Sequence, residues 1–252
     1  MIEIKSNHEI ELMRESCKIV ALAHKGIEKA IKEGVSTKAL DKIAEDIIVK
    51  NGAIPSFKGY PSGFNDVDNF PATACISIND EVIHGIPSDR KLKNEDIVSI
   101  DLGAYKNGFH GDMARTYIVG NEENKLLKVT KQSFFEGIKY AKPGFRVGDI
   151  SHAIGKFIEE NGFSVVKEFQ GHGVGRNLHE EPGIPNYGKS GKGPRLEKGM
   201  CLAIEPMVNE GSWEVVVLED GWTVATEDGS NSAHYENTIL ITEKEPEILT
   251  TI

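Results

Sequence analysis

Cysteine is scarce in this sequence. The 252 residues include three, Cys17, Cys75 and Cys201, odd in number and far apart. That pattern excludes a disulfide framework and a zinc knuckle, and it fits free thiols in a reducing cytosol. Long apolar runs are missing too, so no segment is long enough to span a bilayer. The start, Met1-Ile-Glu-Ile-Lys-Ser-Asn-His8, has no basic stretch followed by an apolar one, which argues against a signal peptide. A cytoplasmic protein with no membrane attachment is expected. Basic charge is in deficit: 29 Lys and Arg face 39 Asp and Glu, a net charge of −10. Non-specific nucleic-acid binding needs a positive field, so it is set aside, and no sequence-specific nucleic-acid contact is expected.

What is present is an ordinary globular balance, 39% hydrophobic and 27% charged, in a chain able to bury a sizeable core. Apolar residues at three- and four-residue spacing predict a helix over 7–33, ended by Gly34. Ser36 caps a second helix that runs to Gly52. A loop rich in Gly, Pro, Asn and Asp covers 55–71, and 73–78 reads as a strand. Residues 97–119 read as two buried strands around a turn at Lys106-Asn107-Gly108. Helices are then expected over 126–140 and 147–160, and a Gly/Pro/Lys-rich loop over about 182–195. Strands follow at 200–204, 214–218, 222–226 and 233–241.

The two halves, about 1–120 and 121–252, can be laid over each other. Asn51-Gly52 and Asn161-Gly162 close matching helices at constant spacing. Ile97-Val-Ser-Ile-Asp101 matches Cys201-Leu-Ala-Ile-Glu205, and His84-Gly85 lies over His172-Gly173. Phe109-His-Gly-Asp112 lies over Ala233-His-Tyr-Glu236. Four segments in the same order indicate an internal duplication. The predicted fold is α/β (α+β), a single domain of two pseudo-symmetric halves that share an antiparallel-rich sheet backed by helices.

Asp101 and Asp112 flank the hairpin turn on strands that read as buried. On the hairpin alone two readings stand: a salt-bridged pair of core carboxylates, or a site. The duplication separates them. Asp101 pairs with Glu205, Asp112 with Glu236 and His84 with His172, so the acid is kept while its type changes. A structural salt bridge needs a basic partner, and residues 206–243 contain no Lys or Arg. A metal is the natural counter-charge. Four carboxylates and an imidazole suit two divalent first-row ions bridged by carboxylates and a water. Mg and Ca are less suited to the imidazole. Cys201 shares a strand face with Glu205 but lies too far along it to be a ligand.

The matching text is Asn-Asp-Glu-Val-Ile-His84-Gly-Ile-Pro, Asp101 with Phe-His-Gly-Asp112, and Gly-His172-Gly-Val-Gly-Arg running on to His179-Glu-Glu-Pro. Ala-Ile-Glu205-Pro-Met and Tyr-Glu236-Asn-Thr complete it. This set resembles the methionine aminopeptidases over nearly the whole chain, and the compact length resembles the bacterial type I enzymes. The resemblance implies the pita-bread fold with its curved sheet, shared with aminopeptidase P, prolidase and creatinase. It implies that Asp101, Asp112, His172, Glu205 and Glu236 hold two divalent ions (Mn, Fe, Co or Zn), with Asp112 and Glu236 bridging. It further implies removal of the initiator methionine before a small second residue, by a hydroxide that the metal pair activates. Glu205 would take and pass on the water's proton, His179 would donate to the carbonyl oxygen, and His84 would contact the substrate near the scissile amide. Tyr60, Phe70, Cys75 and Trp222 would line the methionine pocket. The implied partner is a peptide or nascent-chain N-terminus, met at the ribosome, and the implied state is a monomer.

Three departures from the family pattern stand out. Residues 61–69 form an insertion between the Tyr60 and Phe70 positions. Leu178 stands where relatives often carry an aromatic residue, and His234 and Asn237 flank Glu236 with unusual types. Ribosomal RNA would want a basic surface, but the local basic cluster Lys189, Lys192, Arg195 and Lys198 reads as a solvated loop. Two further readings carry their own discriminators. An X-Pro peptidase of the same fold usually has an amino-terminal domain and would prefer Ala-Pro over Met-Ala. A non-catalytic binding protein would have lost ligands, and this chain keeps all of them.

Overall fold

A computed structural model describes residues 2–63, 66–120 and 124–252. Phe64 and Asn65 of the insertion, and residues 121–123 at the boundary between the halves, lie outside the described residues. The first half runs α1 (Asn7–Glu28), α2 (Thr37–Lys50), β1 (Ile54–Pro55), β2 (Ala74–Ile78), β3 (Glu81–Ile83), β4 (Ile97–Lys106) and β5 (Phe109–Ile118). The second begins with α3 (Lys125–Ile138), α4 (Val147–Glu160), β6 (Ser164–Val165), β7 (Gln170–Gly173) and β8 (Glu180–Pro185). It continues through β9 (Cys201–Ile204), β10 (Met207–Asn209), β11 (Val215–Val217), β12 (Val224–Thr226), β13 (Ser232–His234), β14 (Asn237–Leu240) and β15 (Glu247–Ile248).

Local chemistry sets the helix ends. Ser6 accepts from the Glu9 N–H while the Glu9 carboxylate accepts from the Ser6 N–H, a reciprocal cap that starts α1. Ile10, Met13, Cys17, Val20 and Ile27 then form its buried stripe. The helix stops at Glu28, short of residue 33, because Ala30 and Ile31 both donate back to the Ile27 carbonyl and close a turn. Ser36 caps α2 through the Ala39 N–H. Asn107 and Gly108 take φ of 53° and 90°, the left-handed pair that a tight hairpin between β4 and β5 requires.

Among the described residues, all strand pairs are antiparallel, in four ladders. One runs β1-β4-β2 with β5 added to β4, and another runs β15-β14-β9-β7-β8. The smaller two are β13-β10-β6 and β11-β12-β3. Helices α1 and α2 bury Ile27, Leu40 and Ile48 against Ile76, Ile100 and Leu102. Helices α3 and α4 bury Phe134, Ile150 and Ile154 against Leu202, Ile204 and Val208. The large ladders meet where β5 lies beside β14. There the Thr238 hydroxyl accepts from the Asp112 N–H and donates to the Asp112 carbonyl, and the Glu236 N–H donates to the Ala114 carbonyl.

Two further elements differ from the sequence reading. The stretch expected to be loop from 182 begins inside β8, which pairs with β7 despite Pro182 and Gly183. The last strand, expected unbroken over 233–241, splits at Tyr235-Glu236 into β13 and β14. Tyr235 donates to the Pro206 carbonyl and Glu236 to that of Ala114, so the chain changes partners at this point. Among the described residues, no helix is long and apolar enough to cross a membrane.

Candidate metal centre

Strand register explains how the acids come together. Asp101 opposes Ala114 and Gly103 opposes Asp112 across the β4–β5 hairpin. Residues two apart share a face, so Asp101 and Asp112 project to the same side as diagonal neighbours. In the second ladder Ala203 opposes both His172 and Thr238. Glu205 lies two residues beyond Ala203, and Glu236 two before Thr238, so both carboxylates fall on the His172 face. Gly171 permits this closeness, since a Cβ there would sit 2.4 Å from the Ala203 carbonyl oxygen. The Thr238–Asp112 bonds then hold the two faces together.

The outcome is a tight acid set. Ligand atoms of Asp112, His172 and Glu236 all lie within 4.8 Å of one another. His172 Nε2 is 3.5 Å from Glu205 Oε1 and 3.8 Å from Asp112 Oδ2. Asp112 and Glu236 are buried, at 3% and 2% exposure, while Asp101 and Glu205 open partly on the cavity. Asp101 Oδ1 and Glu236 Oε1 are buried without a hydrogen-bond partner. Burial, then the charge of Glu205, pushes the Asp101 carboxyl well above the usual carboxylate range. Burial followed by Asp101 does the same to Asp112, and burial followed by Asp112 to Glu205 and Glu236. Four acids in mutual repulsion, two with orphaned oxygens, fit a site built for cations.

His172 is prepared as a neutral donor. Burial, then the nearby His179 ring, takes its pKa down to about 3. Its Nδ1–H donates to the Gly173 carbonyl at 2.9 Å, which leaves the Nε2 lone pair facing the carboxylates. His84, at φ 59°, has its pKa lowered to about 4 by burial and then by His179. Burial also lowers that of His179, whose Nδ1 lies 2.7 Å from the Tyr60 hydroxyl.

Every residue singled out from the sequence as ligand, catalytic group or pocket wall lines one cavity of about 510 Å³. Its apolar end gathers Phe70, Cys75, Tyr60 and Trp222 in one cluster, with Phe70 and Trp222 edge to face at 5.2 Å. The insertion leaves this arrangement intact. Phe70 N donates to the Tyr60 carbonyl and Gly59 N to that of Phe70, which pinches the loop at its base. Its far side meets Trp222, whose indole N–H donates to the Asp68 carbonyl. Cys201 packs in the core with Cys17, away from the acids.

Sequence reasoning missed several contributors. Phe57, Ile83 and Phe169 also line the cavity. Lys5 pairs with Glu180 in a buried ion pair at 2.5 Å and so anchors the residue beside His179. The reading that no basic group stands near Glu236 also needs correcting. Arg115 of β5 reaches across and donates to the Glu236 carbonyl at 2.5 Å and to Asn237 Oδ1 at 2.7 Å. Both acceptors are neutral, so Arg115 does not take the place of a cation at the carboxylates. Asn237, noted as unusual, serves this link and accepts from Thr250 as well. In the basic cluster, Lys198 pairs with Glu243, while Lys189 and Lys192 are exposed.

Antiparallel ladders backed by helix pairs, with a buried acid set at their junction, define a metal-dependent hydrolase of the pita-bread class. A profile of metallopeptidase family M24 matches residues 11–243. Methionine aminopeptidase 1 of Bacillus subtilis is 54% identical over 255 residues, covering 100% of both chains. The crystal structure of a methionine aminopeptidase from Thermotoga maritima superposes with TM-score 0.95 at 48% identity, again over 100% of both chains. A prolidase from Pyrococcus furiosus gives TM-score 0.78 at 26% identity, covering 99% of this chain but 65% of that one. The chain belongs to metallopeptidase family M24, among its methionine aminopeptidases.

Proposed function

We propose that this chain removes the amino-terminal methionine from peptides and nascent proteins whose second residue is small. The observation that carries this reading is the junction of the acid set with an apolar aromatic pocket inside one cavity. Asp101, Asp112, His172, Glu205 and Glu236 are the groups that would hold two divalent ions. Carboxylates mixed with an imidazole favour Mn, Fe, Co or Zn. When bound, such ions would supply Lewis acidity toward the scissile carbonyl and lower the pKa of a bound water.

The remaining work falls to side chains. Glu205 accepts the attacking water's proton and delivers it to the leaving amine. His179 donates to the carbonyl oxygen as charge develops on it, and His84 contacts the scissile amide. Phe70, Cys75, Tyr60 and Trp222 receive the methionine side chain, since aromatic edges and sulfur suit a thioether. The setting we infer is the cytoplasm and the nascent chain at the ribosome, with residues 1–252 acting as one monomeric unit of two related halves.

The test uses chelator-stripped protein and the peptide Met-Ala-Ser. Free methionine should appear only after Mn, Co or Fe is restored, and Glu205→Gln should lower turnover by about 10²–10⁴-fold. Ala-Pro substrates should be poor. No release from any unblocked Met peptide under any of these ions would overturn the reading, and faster cleavage of Ala-Pro would replace it with an X-Pro specificity.

A further inference from the structure

The Glu205 carboxylate stands between two imidazoles. Oε1 lies 3.5 Å from His172 Nε2, on the acid side of the cavity. Oε2 lies 3.4 Å from Nε2 of His234, a residue at the end of β13 that does not itself line the catalytic cavity. The His234 ring stands behind the carboxylate, in the wall shared with a second cavity of about 530 Å³ that also touches Arg115 and Tyr235. It is 1% exposed, so its polar atoms must be matched from within the protein.

The ring is held from its own backbone. Thr116 Oγ1 accepts from the His234 N–H at 2.9 Å and donates to the His234 carbonyl at 2.8 Å. The Ser99 hydroxyl lies 2.8 Å from Thr116 Oγ1 and fixes that clamp in turn. Despite this, His234 Nε2 has no hydrogen bond in place. Glu205 Oε2, already at 3.4 Å, is the acceptor within reach, and a small ring rotation completes the contact. Histidine at this position therefore gives the carboxylate an outer donor, while its other oxygen stays turned toward His172.

We infer that His234 is a positioning residue for Glu205, whose Nε2–H engages Oε2 and leaves Oε1 directed at the ion site. This rests on the proposed metal centre and extends it by one residue. Outer partners of a ligand fix its orientation, and their loss typically weakens metal affinity or activity by about 10–100-fold. The identity of the side chain matters less than a donor at the right reach, so a glutamine should substitute where a leucine cannot.

The experiment compares wild type with His234→Leu, His234→Gln and His234→Asn, each full length and stripped of metal. Mn affinity is read by calorimetry, kcat and KM on Met-Ala-Ser, and folding by thermal melting. His234→Leu should lose about 10–100-fold in Mn affinity and in kcat, with KM nearly unchanged. His234→Gln should stay within about threefold of wild type, and His234→Asn, with its shorter reach, should fall toward the leucine variant. Should the leucine variant fail to fold, the Gln–Asn difference carries the same test. Equal Mn affinity in the folded variants, with only their melting temperatures changed, overturns the inference and leaves His234 a packing residue. A wild type that neither binds Mn nor cleaves the peptide overturns the proposed function instead, so the two failures are distinguishable.

Discussion

His179 takes its orientation from a hydroxyl on a different loop. The Tyr60 Oη sits 2.7 Å from His179 Nδ1. If that hydroxyl donates, the ring proton resides on Nε2, the atom free to face a substrate carbonyl. His179→Ala should lower kcat by about 10²-fold, the usual loss for one oxyanion donor. Tyr60→Phe should lose about one neutral hydrogen bond, about 1 kcal/mol or fivefold in kcat, with its pocket wall preserved. Steady-state kinetics on Met-Ala-Ser checks both, and a Tyr60→Phe loss as large as that of His179→Ala would mean the hydroxyl itself touches the substrate. At this scale the acids were legible because the chain repeats them in the same order within segments that match, Asp101 over Glu205 and Asp112 over Glu236. Arg115 was not, because it lies in the first half and serves a carbonyl in the second. A scan for basic residues near Glu236 along the chain cannot see across a strand junction.

The junction of β5 with β14 is the element on which the metal centre depends. Thr238 is fully buried, and its hydroxyl satisfies both backbone groups of Asp112. Thr238→Val keeps the shape and orphans an N–H and a carbonyl, at about 1–3 kcal/mol each. The variant should lose about 2–6 kcal/mol in urea denaturation, while Thr238→Ser should stay close to wild type. Mn affinity should fall with the valine, since Asp112 sits on β5 and Glu236 directly precedes β14, the two strands this hydroxyl joins. A small stability loss would show that water replaces the hydroxyl. Helices and the hairpin were readable here because Ser36 and Asn107-Gly108 are local signals. Strand β8 was not, since Pro182 and Gly183 mask its pairing with the neighbouring β7, and the break at Tyr235-Glu236 was not, since it is decided by partners far off in sequence. That break is also where the chain passes from one ladder to the next, so the feature hidden from the sequence is the one that aims the Glu236 carboxylate.

For the whole molecule, the acid set and the buried histidines pull stability in opposite directions with pH. His24, His172 and His234 have pKa values lowered to about 3, and His84 to about 4. Unfolded imidazoles titrate near about 6.5. These groups therefore give stability that is present above about 6.5 and lost as pH falls toward their folded values. Asp101, Asp112, Glu205 and Glu236 are raised well above the usual range, first by burial. Their unfolded forms ionise near about 4, so their contribution is present below that value and lost as pH rises toward the folded pKa values. Above about pH 7.5 the unfolded histidines have also lost their protons and the carboxyls stand alone. The stripped protein should then melt at lower temperature as pH is raised from about 7.5 to 8.5, and loading with Mn should flatten or reverse that slope. Binding ions expels the protons the acids retain, so apparent Mn affinity should rise with pH over the same window. At 100-fold excess over Kd each ion adds about 2.7 kcal/mol, which for a chain of this size is a rise of roughly 5–10 °C. Calorimetric melts of stripped and loaded protein across the window decide it. A stripped protein that melts higher as pH rises would mean that the four acids are already ionised and balanced by the protein's own cations. Arg115 is a half-buried cation beside the site, yet it spends its bonds on two carbonyls and an amide, and that leaves the charge of the acids to the metal.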